Sequence, residues 1–316
     1  MSPIVHPDLP RFVSFGEALT DLLPQPEAGP GHWRSLSGGA PWNVAMAMSA
    51  LGTLTAFGGA VSTDGFGRAL WQASADGHLD MRFMQQVSYP PLLAVVESVD
   101  PPRYFFIGEN SADLHFQPAG LPQGWLAAAR WAYFGGISLV REPLATKLLD
   151  LALRVKSAGK RICYDPNFRV AMNSTYDDTL QRMCKLADVI KVSEEDLCGL
   201  FRVSDPHVGL AQISAWNPRA WMLMTRGGGP ATLYRGMQSW SALPPKVQIV
   251  DTVGAGDASM AGLVHSLMSE PEAAPERHLA WALGAGAGAC TAAGASPPGE
   301  ALTATLAAGV RMMTGA

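Results

Sequence analysis

The segment Asp251-Thr252-Val253-Gly254-Ala255-Gly256-Asp257-Ala258 (DTVGAGDA, 251–258) strips side chains from a strand-to-helix junction and then places a carboxylate just inside the helix. Residues 247–250 read as the end of a short apolar strand, and 258–268 carry apolar residues at helical spacing, so the glycines fall on the turn between them. A helix N-terminus presents unpaired N–H groups and the positive end of the helix dipole, and glycines let an anion approach both closely. Gly254, Ala255 and Gly256 therefore read as an anion cradle. Asp257 is expected in the first helical turn, ionised because the dipole favours its charged form by roughly 0.3–1 kcal/mol. An anion cradle beside an ionised carboxylate suits phosphoryl transfer: amides hold the charge on the moving group while the carboxylate takes a proton from the attacking hydroxyl. Taken alone, the eight residues also fit a plain helix start with an acidic first turn.

Outward from this junction, apolar strand-like runs at 12–15, 54–58, 132–134, 162–164, 189–192 and 221–225 alternate with helical patterns. That rhythm predicts an α/β fold, a mostly parallel central sheet covered by helices on both faces. Two pieces break it. Residues 92–107 alternate around the turn Val99-Asp100-Pro101-Pro102, as a hairpin does, and 21–37 form a Pro/Gly-rich excursion ahead of a helix. Together they predict a small antiparallel β lid, built from about 17–37 and 88–117, on a single domain spanning 1–316. A flap with an exposed edge and one apolar face invites a second copy, so a homodimer through the lids is expected.

The 316 residues, 48% hydrophobic and 16% charged, describe a globular chain with an ample core. A net charge of -4 without a basic run argues against a nucleic-acid partner. The four cysteines, Cys163, Cys184, Cys198 and Cys290, lack the paired spacing of zinc or redox sites and read as small core residues of a reduced compartment. No apolar h-region opens the sequence, and the uncharged run 279–299 is Gly/Ala-rich and broken by Pro297 and Pro298. The expectation is a cytoplasmic protein with no membrane partner.

No GxxxxGK[ST] loop is present, so a nucleotide must be held another way. Gly284 to Ala289 satisfy G-x-G-x-x-A, yet follow a helical pattern rather than a strand, which favours close helix packing over a dinucleotide site. Near the start, GEALTD (16–21) follows the first strand and GGAPWN (38–43) opens a helix. Asp21 and Asn43 offer bidentate partners for vicinal hydroxyls, and Gly38 and Gly39 let a flat polyol come against the backbone. Arg169 and Asn167 lie after a strand end, where open α/β sheets place ligands.

Together these segments resemble the ribokinase (PfkB) family of carbohydrate kinases, over nearly the whole chain. DTVGAGD (251–257) is similar to the family's C-terminal signature and GGAPWN (38–43) to its N-terminal one. GEALTDLLP (16–24), YDPNFR (164–169) and KVSEED (191–196) resemble pieces of its fructokinase branch. The resemblance implies a ribokinase-like three-layer αβα sandwich and an ATP-dependent kinase acting on a primary hydroxyl of a small sugar, D-fructose first. 2-Keto-3-deoxygluconate kinase and nucleoside kinase are the alternatives, and a catalytically silent sugar-binding regulator stands outside the class. It implies Asp257 as base with Gly254, Ala255 and Gly256 as anion hole, and Asp21, Gly38, Gly39, Asn43 and Arg169 on the sugar. Thr225, Gly227, Lys191 and Ser193 fall on the nucleotide. Asp196 and Glu195 fall on Mg²⁺ through water, and Asp251 and Val253 on a monovalent cation such as K⁺. The chain departs from the family at three places. Ser193 and Asp196 stand where N-x-x-E is usual, Pro230 replaces the second glycine of T-x-G-x-x-G (225–230), and Ser259 replaces a larger residue after the base.

Overall fold

The computed structural model describes residues 8–25, 27, 29, 31–99 and 102–313. The elements run β1 (Phe12–Phe15), β2 (Leu19–Pro24), β3 (Trp33–Gly38), α1 (Ala40–Ala50), β4 (Thr55–Ser62), α2 (Gly65–Asp76), β5 (Met84–Val87), β6 (Leu93–Val99) and β7 (Pro102–Ile107). They continue α3 (Trp125–Ala128), β8 (Trp131–Gly135), α4 (Leu144–Ser157), β9 (Arg161–Asp165), α5 (Asp177–Leu186), β10 (Val189–Ser193), α6 (Glu194–Phe201), α7 (Pro206–Trp216) and β11 (Trp221–Thr225). The last are β12 (Ala231–Arg235), β13 (Gln238–Leu243), α8 (Ala255–Ser269), α9 (Pro275–Ala289), α10 (Glu300–Ala308) and β14 (Arg311–Met312).

The ten-stranded sheet has the order β14-β13-β12-β11-β10-β9-β8-β1-β4-β5. From β11 to β5 every pairing is parallel, and β12, β13 and β14 add an antiparallel edge. Period-two side chains divide the core between the faces. Val13, Phe134, Ile162, Tyr164, Ile190 and Met222 pack under α4, α5, α6 and α7. Phe12, Trp131, Tyr133, Cys163, Val189 and Leu223 pack under α1, α8 and α9. This is the three-layer sandwich expected from the alternation of elements. All parallel strands end at one edge of the sheet, where the loops carrying the polar motifs gather.

The second sheet, β3-β2-β6-β7, is the lid. Its hairpins β2–β3 and β6–β7 are antiparallel, but they join through a parallel β2–β6 ladder, Thr20 opposite Leu93. The reason is connectivity: β2 follows β1 directly while β6 arrives after β5, so both leave the main sheet in the same direction. The turn residues Asp100 and Pro101 lie outside the described residues. Leu19, Leu92, Ala94 and Ile137 seat the lid on the body.

Residues 247–250 are not a strand, contrary to the sequence expectation. The chain from 244 to 250 has no regular structure, and Ile249 and Val250 are 65% and 59% exposed. Four apolar-rich residues without a pairing neighbour do not make a strand. Gly284 to Ala289 lie inside α9, and the packing reading holds. A Cβ at Gly262 would stand 2.7 Å from that of Ala285, and one at Gly284 would stand 2.8 Å from the Ala307 amide nitrogen. The same seam accounts for Ser259: its hydroxyl lies against Gly286, and the close approach of α9 leaves no room for a larger side chain. Among the described residues no helix is long and apolar enough to cross a membrane.

Candidate active site

α8 begins without a side-chain cap. Gly254 is its N-cap at φ 78, left-handed backbone that glycine adopts without a Cβ penalty. The Ala255 amide turns back to the Thr252 carbonyl at 3.2 Å, whereas those of Gly254 and Gly256 find no acceptor among the described residues. Where the sequence reading expects an anion cradle, the structure thus leaves the Gly254 and Gly256 amides without an acceptor, while the Ala255 amide is engaged.

Asp257 stands in the first turn as expected, but its environment is the reverse of an exposed, dipole-stabilised acid. It is 8% exposed. Burial pushes its carboxyl up to about 7; the Asn43 hydrogen bond lowers it, the charge of Asp165 raises it, and Lys191 and Arg169 lower it. Desolvation outweighs a dipole term of roughly 0.3–1 kcal/mol, because it acts on the whole charge. The proton affinity that results lies near neutrality, where a general base works best.

The two distant signatures meet at this residue. Asn43 Nδ2 donates to Asp257 Oδ2 at 2.8 Å, joining α1 to α8. Asn43 Oδ1 is buried without a partner among the described residues, so one arm of the expected bidentate contact is already taken by Asp257. Gly39 holds the start of α1 at φ 107, where a Cβ would come within 2.8 Å of the Glu17 carbonyl. The Asp21 carboxylate lies against Gly38, and burial raises it to about 6 while the Arg169 charge lowers it. Arg169 donates to the Asn167 side chain at 2.7 Å and lies 5.5 Å over the Tyr104 ring of the lid.

Lys191, read in sequence as a nucleotide contact, is 5% exposed and bonds Asp165 at 2.8 Å. Burial alone would lower it, but Asp165 and Asp196 outweigh that and leave it at about 12, so it carries a full charge. Its Nζ lies 3.1 Å from where a Cβ on Gly256 would stand, which puts an ammonium at the mouth of the cradle. Ser193 and Thr225 are register partners at the ends of β10 and β11. Gly227 follows at φ 54 in a turn closed by Gly229 N–H to Arg226 O, 2.9 Å, so Pro230 removes no bond that this turn uses.

The metal candidates divide. Ser193 and Asp196 form a capping box: Ser193 Oγ accepts from the Asp196 amide at 3.0 Å and the Asp196 carboxylate accepts from the Ser193 amide at 2.7 Å. The other Asp196 oxygen accepts from the Phe168 amide at 2.8 Å. Buried and fully engaged, Asp196 pins the YDPNFR loop to α6, whereas Glu195 beside it is exposed. Asp251 accepts from Val253 N at 3.1 Å and Gly294 N at 2.8 Å, fastening the signature loop to the loop after α9.

Sequence reading missed Asp165 and Glu17. Asp165 stands in YDPNFR (164–169), but its partner lies 26 residues on, across a sheet pairing. Glu17 is buried against Ser138 and burial lifts it to about 7.

Against this geometry, the chain matches the pfkB family carbohydrate kinase model over residues 10–302. It is 35% identical to a fructokinase from Klebsiella pneumoniae, over 89% of this chain and 93% of that one. A crystal structure of fructokinase with bound ATP from Xylella fastidiosa superposes with a TM-score of 0.84 at 27% identity, covering 94% of this chain and 98% of that one. A fructokinase from Vibrio cholerae O395 in fructose, ADP and calcium ion bound form gives 0.80 at 28%, covering 95% and 99%. The chain belongs to the pfkB family of carbohydrate kinases.

Proposed function

We propose that the chain transfers the γ-phosphoryl group of ATP to the C6 hydroxyl of D-fructose. One observation carries the reading: the 2.8 Å bond between Asn43 and a buried Asp257 at the mouth of an uncapped helix. It sets the group that takes a proton beside the group that holds a sugar. Asp21, Gly38, Gly39, Asn43 and Arg169 hold and orient the sugar. Asp257 accepts the proton of the attacking hydroxyl. The α8 amides, with the Lys191 ammonium beside Gly256, hold the charge of the phosphoryl group in a water-poor site where such donors act strongly. Ser193, Thr225 and Gly227 line the nucleotide side. The fructose-bound and ATP-bound relatives support this division of roles.

Mg²⁺ fits the first turn of α6. A small hard cation keeps most of its water and takes one or two carboxylates plus phosphate oxygens, so no closed protein cage is needed, and none is found among the described residues. Glu195 is the carboxylate open to it, with Asp196 behind. When bound, the ion neutralises charge on the β- and γ-phosphates. A monovalent cation at Asp251 and the Val253 carbonyl belongs to the same proposal. So does a homodimer through the lids, supported by Trp33, Tyr104, Phe105 and Ile107, all exposed on the small sheet. Light scattering at micromolar concentration checks it, and a monomeric mass removes it.

The functional test is ADP release over a panel of fructose, 2-keto-3-deoxygluconate and nucleosides, with the product position read by NMR. Phosphorylation of fructose at C6 with the highest kcat/KM is expected. A higher value for the acid or a nucleoside reassigns the substrate.

A further inference from the structure

The segment 136–141, between β8 and α4, holds the roots of both lid hairpins. At the root of β2 the Glu17 amide donates to Ser138 Oγ at 2.7 Å, and the Ser138 amide donates to the buried Glu17 carboxylate at 3.2 Å. At the root of β7 stands Arg141. One guanidinium nitrogen pairs with Asp113, whose side chain is 0% exposed, and the other donates to the Gly108 carbonyl and, at 2.8 Å, to Ser111 Oγ. Gly108 is the residue after β7, and a Cβ there would stand 2.8 Å from that second nitrogen, so the arginine is seated on bare backbone. The Ala112 amide donates to the Pro90 carbonyl at 2.8 Å, which ties the exit of the β6–β7 hairpin to its entry. The three partners of Arg141 all lie in the stretch that leaves the lid, and none is a group assigned to sugar, nucleotide or base.

What this root carries faces the sugar. Asp21, Ala94 and Phe106 are register partners across β2, β6 and β7, so their side chains share one face of the small sheet. It is the inner face, because Ala94 and Phe106 pack with Ile137 of the body. Tyr104, two residues back along β7 on the same face, meets the Phe106 ring edge-on at 5.6 Å and lies against the Arg169 guanidinium at 5.5 Å. A strand rises about 3.4 Å per residue, which puts Tyr104 about 14 Å from Gly108. A small tilt at the Gly108 end therefore displaces both rings from Arg169 and Asp257, which stay on the body.

We propose that Arg141 is a positioning residue for the sugar: its guanidinium clamps the β6–β7 hairpin at its root, so that the inner face of the lid closes over the bound sugar in line with Arg169 and Asp257. The planar fork suits this work. One nitrogen is held by a buried carboxylate that fixes the plane, and the other is left for the carbonyl and hydroxyl of the lid root. A lysine keeps the charge beside Asp113 but is a point donor without the second arm. The proposal rests on Asp21 and Arg169 being sugar ligands, and it adds a residue that acts on the sugar only through the lid.

The test is full-length Arg141→Lys, with Ser111→Ala as a milder variant that leaves the Arg141–Asp113 pair in place. A lid docked only one tenth of the time lowers the apparent affinity tenfold, so the fructose KM should rise roughly tenfold in Arg141→Lys and about two- to threefold in Ser111→Ala. The ATP KM should stay within about twofold and kcat within about threefold, because Asp257, Lys191 and the α8 amides stand on the body. The melting temperature should stay within about 3 °C of the parent, since Asp113 keeps a counter-charge. Amide exchange of β6 and β7, followed by mass spectrometry without ligand, should quicken about tenfold in Arg141→Lys while β8 is unchanged. If the fructose and ATP KM rise together, or the melting temperature falls with the fructose KM unchanged, Arg141 only neutralises Asp113 and the proposal falls. Unchanged lid exchange overturns it as well. Should Arg141→Lys fail to fold, Ser111→Ala decides. Failure of the functional reading is separate: a parent that phosphorylates no sugar of the panel refutes that reading, and lid exchange alone then decides the clamp.

Discussion

Two helices of this chain start at the same edge of the sheet with an aspartate at the third helical position, and they use it in opposite ways. At α6, Ser193 and Asp196 bond each other's amides and Asp196 also holds the Phe168 amide. At α8 a glycine replaces the capping side chain, the amides of Gly254, Gly256 and Asp257 have no acceptor among the described residues, and the Asp257 carboxylate turns to Asn43. The capped start spends its donors on its own stability. The uncapped one leaves them without an acceptor, at the cost of a cap contribution of about 0.5–2 kcal/mol. An acid in a first turn is therefore no sign of function by itself; what matters is whether the amides and the carboxylate already have partners.

The contrast breaks first at Asp257. Asp257→Asn keeps the shape and the Asn43 bond but cannot accept a proton, so kcat should fall about 10²- to 10⁴-fold with calorimetric sugar and ATP binding nearly unchanged. In the parent enzyme the rate should drop as pH falls below about 7, as the carboxyl is protonated. Stability runs the other way. The folded value is raised from 3.8 to about 7, so the stability that the neutral acid contributes is complete below 3.8 and lost as pH rises through 7. Asp257→Asn should melt higher than the parent at pH 8, with the gap closing toward pH 4. An unchanged melting temperature at pH 8 would mean that the carboxylate is better solvated than its burial implies.

Lys191→Met tests whether the ammonium beside the cradle is part of the open helix start. It leaves Asp165 buried without a counter-charge, and about 3–5 kcal/mol of stability should be lost in denaturant titration. A loss under 1 kcal/mol would show that Asp165 takes up a proton instead.

Asp196→Ala probes the capped start. Two amides lose their acceptor, and about 1–3 kcal/mol should go, while the Mg²⁺ concentration for half-maximal rate changes less than about threefold. A large rise in Mg²⁺ requirement without a stability loss would reverse the comparison, making Asp196 the metal's partner rather than the helix's.

The smallest effect belongs to Gly254→Ala, which forces a Cβ into left-handed backbone and to 2.9 Å from Ala295 Cβ. A cost of about 1–2 kcal/mol is expected, with a raised KM for ATP as the cradle shifts. A neutral substitution would mean that the turn relaxes without disturbing the amides.

Much of this was written locally. The βα rhythm at 12–15, 132–134, 162–164, 189–192 and 221–225 comes from apolar runs bounded by turn residues, and such runs need no knowledge of their neighbours to be read. The glycines at 254 and 256 and the acid at 257 likewise announce an open helix start from spacing alone. The expected strand at 247–250 failed for the opposite reason: a strand requires a partner, and three apolar residues in a run of four do not say whether one is adjacent. The parallel ladder in the lid depends on β2 and β6 leaving the body side by side, which periodicity does not encode.

The proton affinity of Asp257 was beyond the sequence for a physical reason. Its position on the helix, which is local, favours ionisation by a fraction of a kcal/mol, whereas burial under Asn43 and beside Asp165, which only the tertiary structure creates, acts on the full charge and raises it to about 7. The same holds at Asp196, whose acidity and place in KVSEED suggested a metal until the Phe168 amide arrived from another strand's loop. Residue types and spacings determined which groups the chain possesses and at which helix starts they stand. Which of them are dry, which are already partnered and which are left open to substrate was decided when segments far apart in sequence closed over one another.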